Sequence, residues 1–158
     1  MGQNLEVELL KSNRLIGLRD PDGDVRATYR TAKNTLAIVR PPPLEPCPCN
    51  SPLADCQLNL AEDYPAHCQY CYLAGSLSGP SVVKAFANLP QLLANIADYE
   101  QPGWVVSHEA SCYTDVLGIE HLTGSLTQAV RHFGTREGAK LRFVSKYNHI
   151  DSLLGLPH

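Results

Sequence analysis

The chain has 158 residues, of which 44% are hydrophobic and 18% are charged, so the composition predicts a folded domain with a substantial core and excludes a disordered chain. Its 13 basic and 16 acidic residues leave a net charge of −3, which argues against a surface that is basic throughout, although a local basic groove for nucleic acid stays open. The sequence contains no run of about 20 apolar residues and no signal-peptide core, so neither a membrane span nor export is predicted.

Residues 1–40 mix short apolar runs with charged residues. Residues 20–24 carry the turn sequence Asp-Pro-Asp-Gly-Asp, which lacks the spacing and the terminal Glu of an EF-hand calcium loop. Residues 35–39 are a short apolar run typical of a strand. Residues 40–52 contain six prolines and are predicted to form an irregular connector.

From residue 56 onward, predicted strands alternate with predicted helices. Asn88 is a candidate N-cap, Pro90 suits a first helical turn, and Gly134 is a helix stop. Alternation at this rhythm predicts βαβ units on a parallel sheet. The predicted strands are residues 57–60, 104–110 and 141–145, and the predicted helices are residues 89–99, 122–133 and a third that starts at 151–154.

The most informative motif is the pair Cys68 and Cys71 at C-x2-C spacing, with Tyr70 between them and Tyr72 directly after. Two thiolates at this spacing can bind one metal ion or one iron–sulfur cluster from a single turn of backbone. The same spacing also fits zinc, a redox dithiol or two unrelated thiols. Six cysteines in a chain without an export signal predict a cytoplasmic protein whose thiols bind or react rather than form disulfides.

Three longer blocks, residues 29–36, 109–123 and 141–154, stand in order around the cysteine motif at 67–73. Together they resemble the spore photoproduct lyase family of radical S-adenosylmethionine enzymes, over roughly residues 26–158. The resemblance implies an α/β fold, the N-terminal half of a partial (β/α) barrel with its catalytic end at the carboxyl edge of the strands. We therefore expect residues 1–52 to be an N-terminal extension with a Pro-rich connector. Residues 53–158 are then the first three βα units of a truncated barrel.

The resemblance also implies an activity. The family reverses a thymine–thymine ultraviolet adduct in DNA, using a [4Fe–4S] cluster, S-adenosylmethionine and an external electron donor. A 5′-deoxyadenosyl radical abstracts hydrogen from the lesion, and a cysteine returns a hydrogen atom to the product radical. The expected partners are S-adenosylmethionine and DNA that carries an ultraviolet lesion, and no membrane partner is expected.

The resemblance assigns roles to particular residues. Cys68 and Cys71 match two cluster ligands, and Cys112 matches the cysteine that donates hydrogen. Tyr70 is implied to lie near the path of the substrate radical, and it counts with Cys112 as catalytic. The residues implied to contact S-adenosylmethionine are Tyr72, Thr114, Asp115 and Lys146.

The third cluster ligand departs from the family pattern C-x3-C-x2-C, because its first position falls on Tyr64, and a phenol is not a usual ligand of such a cluster. Cys56 is the predicted replacement, Cys47 and Cys49 are rivals, and the absence of any third ligand is the remaining alternative. If residues 57–60 form a strand, each adds about 3.3 Å, which carries Cys56 toward the wrong end of the sheet unless the strand is shorter or the loop folds back.

Two alternatives stay open. The five cysteines between residues 47 and 71 could hold zinc in a structural interaction module. An inactive fragment of a radical enzyme acting on another substrate is also possible, because three βα units leave a sheet edge and a sheet face uncovered.

Overall fold

The computed structural model describes residues 8–10, 18–40, 47–48, 54–67 and 81–156. Its strands are β1 (Leu36–Val39), β2 (Cys47–Pro48), β3 (Cys56–Leu58), β4 (Ala61–Glu62), β5 (Val83–Phe86), β6 (Val106–Ala110) and β7 (Ala139–Arg142). Its α-helices are α1 (Val25–Lys33), α2 (Leu89–Ala94), α3 (Glu120–Thr123) and α4 (Ser125–Phe133), and 3-10 helices cover Asn95–Tyr99 and Val116–Ile119. None of the helices in these ranges has the length and apolar character that crossing a membrane requires.

Helix α1 was not expected from the sequence, although the turn before it was. The Asp20 carboxylate accepts hydrogen bonds from the backbone N–H groups of Asp22 and Asp24, which confirms the predicted turn. The Asp24 side chain then caps α1 by accepting from the backbone N–H of Arg26 at 2.8 Å. Among the residues of α1 only Ala32 is buried, and the others are half-buried or exposed.

Two sheets organise the described residues. In the four-stranded sheet, with strand order β2-β3-β6-β7, β3, β6 and β7 run parallel, which confirms the predicted parallel arrangement. The three-stranded sheet has the order β1-β5-β4, with β1 parallel and β4 antiparallel to β5. Strand β5 was not predicted, and because it pairs with β1, one sheet spans the predicted boundary at residue 52.

The predicted later elements differ from the observed ones mainly at their ends. The predicted helix over residues 89–99 is split into α2 and a 3-10 helix, and Asn88 makes no side-chain cap bond. The predicted helix over residues 122–133 is interrupted at Gly124, which has a φ of 60°. The third predicted helix is wrong, because residues 151–155 form turns. Leu154 there is 66% exposed and Leu153 is partly buried against the core, so only one of the two leucines offsets the cost of helix nucleation.

The core lies between the sheets and the helices that follow their strands. Glu120 is buried there, and its carboxylate accepts from the backbone N–H groups of Leu126 at 2.8 Å and Thr127 at 3.0 Å. It thereby caps α4, whose own N-cap is a glycine without a side-chain acceptor. The largest fully buried side chains are Leu60, Val82, Ile96, His108, Val116 and Leu126.

His108 is an imidazole inside this core. It is 1% exposed, and its ring centroid lies 5.2 Å from that of Phe133. Its Nδ1 lies 3.3 Å from the carbonyl oxygen of Val106, and Nε2 has no hydrogen-bond partner among the described residues. Burial lowers the pKa of His108 below its usual 6.5, and Arg136 adds to this, whereas the Val106 carbonyl and the carboxylates of Asp55 and Glu100 oppose it.

We predict that His108 makes the protein less stable as the pH falls below about 6.5, the pKa of an unperturbed histidine. The unfolded chain binds a proton there before the folded chain does, so the stabilisation is complete above this pH and is lost as the pH falls toward the folded pKa. The change in the free energy of unfolding with pH that is attributable to His108 has an upper limit of about 1.4 kcal/mol per pH unit. Urea unfolding of the wild type and of His108→Leu between neutral and acidic pH measures it.

The matched control is His149→Gln, since His149 is exposed and its replacement disturbs no packing. In His149→Gln we expect the free energy of unfolding to change with pH as it does in the wild type. In His108→Leu we expect it to change less with pH. Equal slopes for all three proteins would show that His108 does not couple folding to protonation.

Candidate active site

The parallel strands β3, β6 and β7 end at one edge of the four-stranded sheet, which we call the carboxyl edge. The register pairs Leu58 with Ala110 and Glu109 with Arg142, so all three strands end at nearly the same level. Residues 59–67, 111–115 and 143–147 follow these strands. The carboxyl edge therefore brings together four of the predicted site residues, Cys112, Thr114, Asp115 and Lys146, from two separate loops.

Asp115 joins the loops that follow β6 and β7. Its side chain is buried, and its Oδ2 accepts from the backbone N–H of Lys146 at 2.8 Å. Its Oδ1 and the Oγ1 of Thr114 are also buried and have no hydrogen-bond partner within the described ranges. Buried polar atoms are nearly always paired, so these two oxygens mark a place where a polar ligand, water or another part of the chain is required.

Lys146 directs its ammonium group toward Tyr64. The Lys146 Nζ lies 5.0 Å from the centroid of the Tyr64 ring, within the range of a cation–π contact, and Tyr64 is 6% exposed. Tyr64 is the residue at which the resemblance expects the first cluster cysteine. The structure therefore places an aromatic ring and a lysine ammonium together at that position.

Cys112 is a half-buried thiol that follows Ser111 after β6. Ser111 has a φ of 59°, an unusual conformation for a residue with a side chain. Its Oγ accepts from the backbone N–H groups of Leu60 at 2.8 Å and Ala61 at 3.3 Å, and its own N–H donates to the carbonyl of Leu58. Ser111 thus fixes the start of the Cys112 loop to the segment that follows β3.

Sequence reasoning missed this role of Ser111, because nothing local to a serine at a strand end shows that it bonds a segment some 50 residues away. Its place directly before the candidate cysteine and directly after a predicted strand was the only available signal.

Gly118 allows the three loops of the carboxyl edge to approach closely. A Cβ atom at Gly118 would lie 2.6 Å from Cε2 of Tyr147 and 2.7 Å from Cγ of Pro65. Tyr147 follows the predicted cofactor residue Lys146, and Pro65 follows Tyr64, where the resemblance expects the first cluster cysteine. A side chain larger than hydrogen at this position would push these loops apart.

We predict that Gly118→Ala destabilises the protein by about 1–3 kcal/mol, the usual cost of inserting a methyl group into a close-packed region. A thermal melt of both proteins measures the change. Gly138→Ala is the matched control, because the three atoms nearest to a Cβ there all belong to the side chain of Glu100, at 3.3 Å or more. A Gly118→Ala protein that melts with the wild type and with Gly138→Ala would contradict the packing argument.

The structure places Cys56 away from the carboxyl edge. Cys56 is the first residue of β3, opposite His108 in β6, and it lines a cleft at the other end of the strands with Asp55, Tyr99 and Trp104. Since each strand residue adds about 3.3 Å, Cys56 lies about 7 Å further back than Leu58, where the strand ends. This position disfavours Cys56 as a cluster ligand, and the assignment stays a prediction.

The remaining predicted site residues cannot be placed. Cys68, Tyr70, Cys71 and Tyr72, and the rival ligand Cys49, lie outside the described residues. Cys47 is in β2, where its backbone pairs with that of Gln57. Within the described ranges no group of three or more His, Cys, Asp or Glu residues could hold a metal ion. The C-x2-C thiols stay the predicted metal ligands, and their chemistry suits an iron–sulfur cluster or zinc.

The parallel sheet and the helices between its strands define an α/β protein, and the loops at the carboxyl edge, with their buried, unsatisfied polar groups, form its candidate ligand site. The sequence profile of the family described as spore photoproduct lyase matches residues 2–158 of the chain. The chain therefore belongs to the spore photoproduct lyase family.

Curated relatives agree with this assignment. The chain is 34% identical over 153 residues to the spore photoproduct lyase of Geobacillus sp. (strain Y412MC61), covering 96% of the chain and 44% of the relative. It is 32% identical over 159 residues to the spore photoproduct lyase of Bacillus subtilis (strain 168), covering 99% of the chain and 46% of the relative. The chain thus spans less than half the length of these relatives.

Solved structures share the fold over the same portion. A substituted spore photoproduct lyase with bound AdoMet and dinucleoside spore photoproduct matches with a TM-score of 0.84 and 33% identity, over 92% of this chain and 43% of that chain. A spore photoproduct lyase complexed with dinucleoside spore photoproduct matches with the same values. The mixed α/β fold of the chain is therefore that of spore photoproduct lyases over part of their length.

Proposed function

We propose that the chain contributes the cofactor-binding part of a radical S-adenosylmethionine lyase that repairs a thymine-dimer type ultraviolet lesion in DNA. Membership of the spore photoproduct lyase family supports this proposal. The structural observation that carries it is the carboxyl edge, where Lys146 and the buried, unsatisfied oxygens of Thr114 and Asp115 meet. The proposal includes the partial (β/α) barrel, with residues 53–158 as its first units and residues 1–52 as an extension.

The proposed metal centre is a [4Fe–4S] cluster. Cys68 and Cys71 supply two thiolates, and the third ligand comes from Cys56 or from the rivals Cys47 and Cys49. When bound, the cluster and S-adenosylmethionine supply one-electron chemistry that generates a 5′-deoxyadenosyl radical. An external electron donor is required for this chemistry.

The residues of the carboxyl edge bind and orient the cofactor in this proposal. The Lys146 ammonium offers a positive charge to the cofactor carboxylate or a hydrogen bond to its ribose. The Thr114 hydroxyl and the Asp115 Oδ1 are available for polar groups of the same molecule, because neither is satisfied among the described residues. Asp115 also holds the Lys146 backbone, so the two residues act as one unit.

Cys112 is the proposed hydrogen donor to the product radical. An S–H bond is weak enough to give its hydrogen atom to a carbon radical, whereas the O–H bond of an aliphatic alcohol such as serine is not. Its half-buried position after β6 puts the thiol on the same loop as Thr114 and Asp115. Tyr70 is proposed to lie near the radical path, and Tyr72 near the adenine.

The proposed substrate is DNA that carries an ultraviolet lesion. A solved relative holds dinucleoside spore photoproduct together with AdoMet. A lesion inside duplex DNA would have to leave the base stack to reach a pocket at a strand edge. The dinucleoside is therefore the simplest probe, because it requires no distortion of a duplex.

Electron paramagnetic resonance of the protein after anaerobic reconstitution with iron and sulfide, followed by reduction, tests the proposal. We expect a [4Fe–4S]+ signal that shifts when S-adenosylmethionine is added. A folded protein that takes up no iron would contradict it. Tetrahedral zinc without iron would instead support a structural module, in which the pairing of β2 with β3 brings the backbones of Cys47 and Cys56 close together.

A further inference from the structure

Lys33 is a buried lysine that the proposed mechanism does not use. It stands in the last turn of α1, and its side chain is 2% exposed. Its Nζ forms an ion pair with Asp63 Oδ1 at 3.3 Å and donates hydrogen bonds to Ser81 Oγ at 2.6 Å and to the carbonyl oxygen of Tyr64. The ring of Tyr29 lies on another side, with its centroid 5.6 Å from the nitrogen. A charged group buried to this extent is retained only with such complete pairing.

The acceptors of Lys33 form a network of their own. Asp63 has a φ of 67°, and its Oδ1 also accepts from Ser81 Oγ at 2.6 Å and from the backbone N–H of Tyr64 at 2.6 Å. The side chain of Asp63 is 8% exposed. One carboxylate and one ammonium thus hold Asp63, Tyr64 and Ser81 together, and an unusual backbone conformation at Asp63 is maintained by these bonds.

These residues stand at the two ends of the connection between β4 and β5. Asp63 directly follows β4, and Ser81 lies two residues before β5 begins. The two strands pair antiparallel, with Glu62 opposite Lys84. Cys68 and Cys71 lie in the sequence between Tyr64 and Ser81. A single nitrogen from α1 therefore ties both ends of the connection that carries the cysteine pair.

The same network reaches the carboxyl edge. Lys33 holds the backbone of Tyr64, and the ring of Tyr64 lies under the Lys146 ammonium. Displacement of the Tyr64 backbone would move the ring that Lys146 contacts.

We propose that Lys33 is a positioning residue, whose buried ammonium sets the two ends of the cysteine connection and the Tyr64 ring for cofactor binding. The part that concerns the cluster rests on the proposed function. Lys33 contacts neither the thiols nor the lesion in this proposal, and it acts through Asp63, Tyr64 and Ser81.

Two measurements on Lys33→Met test the inference. In metal-free protein, hydrogen exchange in peptides that contain residues 63–64 and 81–83 is expected to be about tenfold faster than in the wild type, because buried acceptors lose their donor. In reconstituted protein, iron is expected to pass to a chelator faster than from the wild type, with far-UV circular dichroism unchanged. Lys33→Arg is expected to restore part of both properties, which loss of general stability would not explain.

The matched control is Lys84→Met. Lys84 pairs with Glu62 at 3.1 Å, one residue before Asp63, but the two side chains are 40% and 46% exposed. We expect the rate of hydrogen exchange and the retention of iron in this variant to equal those of the wild type. If Lys33→Met fails to fold, Ser81→Ala removes one acceptor of Lys33 and one donor to Asp63, and it is expected to change both measurements in the same direction.

The outcomes separate the two proposals. Faster exchange with unchanged iron retention would overturn the positioning role of Lys33, and so would wild-type behaviour in both measurements. A wild-type protein that takes up no iron, while Lys33→Met still opens both ends of the connection, would overturn the proposed function. In that case the conclusion that Lys33 holds together the two ends of the connection between β4 and β5 would still be supported.

Discussion

Replacing Cys68 or Cys71 by alanine is expected to abolish cluster binding and leave the protein folded. Each change removes one thiolate of a pair that must bind the same cluster, and two remaining thiolates of three cannot hold it. Iron and acid-labile sulfide in the reconstituted variants should fall to the background of protein that was never reconstituted. The reduced samples should also lack the [4Fe–4S]+ resonance signal.

Alanine variants of Cys47, Cys49 and Cys56 locate the third thiolate in the same assay. Because Cys56 stands at the start of β3, about 7 Å behind the end of the strand, its removal should affect the cluster less than the loss of Cys68 does. Cys112→Ala serves as the control, since Cys112 is proposed to donate hydrogen and not to bind iron. A Cys68→Ala protein that keeps its full iron content would contradict the assignment of the C-x2-C motif.

Cys112→Ala and Cys112→Ser are both expected to abolish conversion of dinucleoside spore photoproduct to thymine by the reconstituted protein. The product radical would be left without a hydrogen donor, since alanine has no such group and the O–H bond of serine is too strong. Both variants should bind the cluster and the cofactor as the wild type does. Chromatographic analysis of the products, with iron content and the cofactor-dependent resonance signal measured in parallel, checks this.

Serine separates hydrogen donation from packing at this site. Serine is close to cysteine in size and fills the half-buried position, so a purely structural role of Cys112 would be largely restored in Cys112→Ser. Full thymine formation by Cys112→Ser would therefore contradict the donor role. Loss of the cluster from either variant would show that Cys112 supports the metal site instead.

The local sequence pattern of apolar runs and turn residues predicted the parallel sheet correctly. The predicted strands at residues 57–60, 104–110 and 141–145 are found as β3, β6 and β7, with ends that differ by at most three residues. Apolar runs bounded by turn signals predict such strands because each strand buries its side chains within a few residues of chain. The polar residues directly after the strands then had to share the carboxyl edge, which the structure confirms in position for Cys112, Thr114, Asp115 and Lys146.

Three parts of the chain were not predicted correctly. Helix α1 was missed although Asp24 caps it, and β5 was missed although it pairs with β1 and β4. The predicted helix after residue 150 is found as turns, in which Leu153 is partly buried against the core and Leu154 is 66% exposed. The pairing of β5 joins strands that are distant in the chain, which local propensity does not show.

The amino-acid order alone was sufficient for the class of sheet, the family resemblance and the residues that follow each strand, because these depend on spacing along a short stretch of chain. It could not show that the Lys33 ammonium binds Asp63 and Ser81, or that the Ser111 hydroxyl accepts hydrogen bonds from the segment after β3. It also could not show that the ring of Tyr147 packs against Gly118. These contacts join residues about 30 to 50 positions apart. Their partners are chosen when the strands assemble, since a buried charge or hydroxyl is satisfied by whichever group the fold brings within bonding distance.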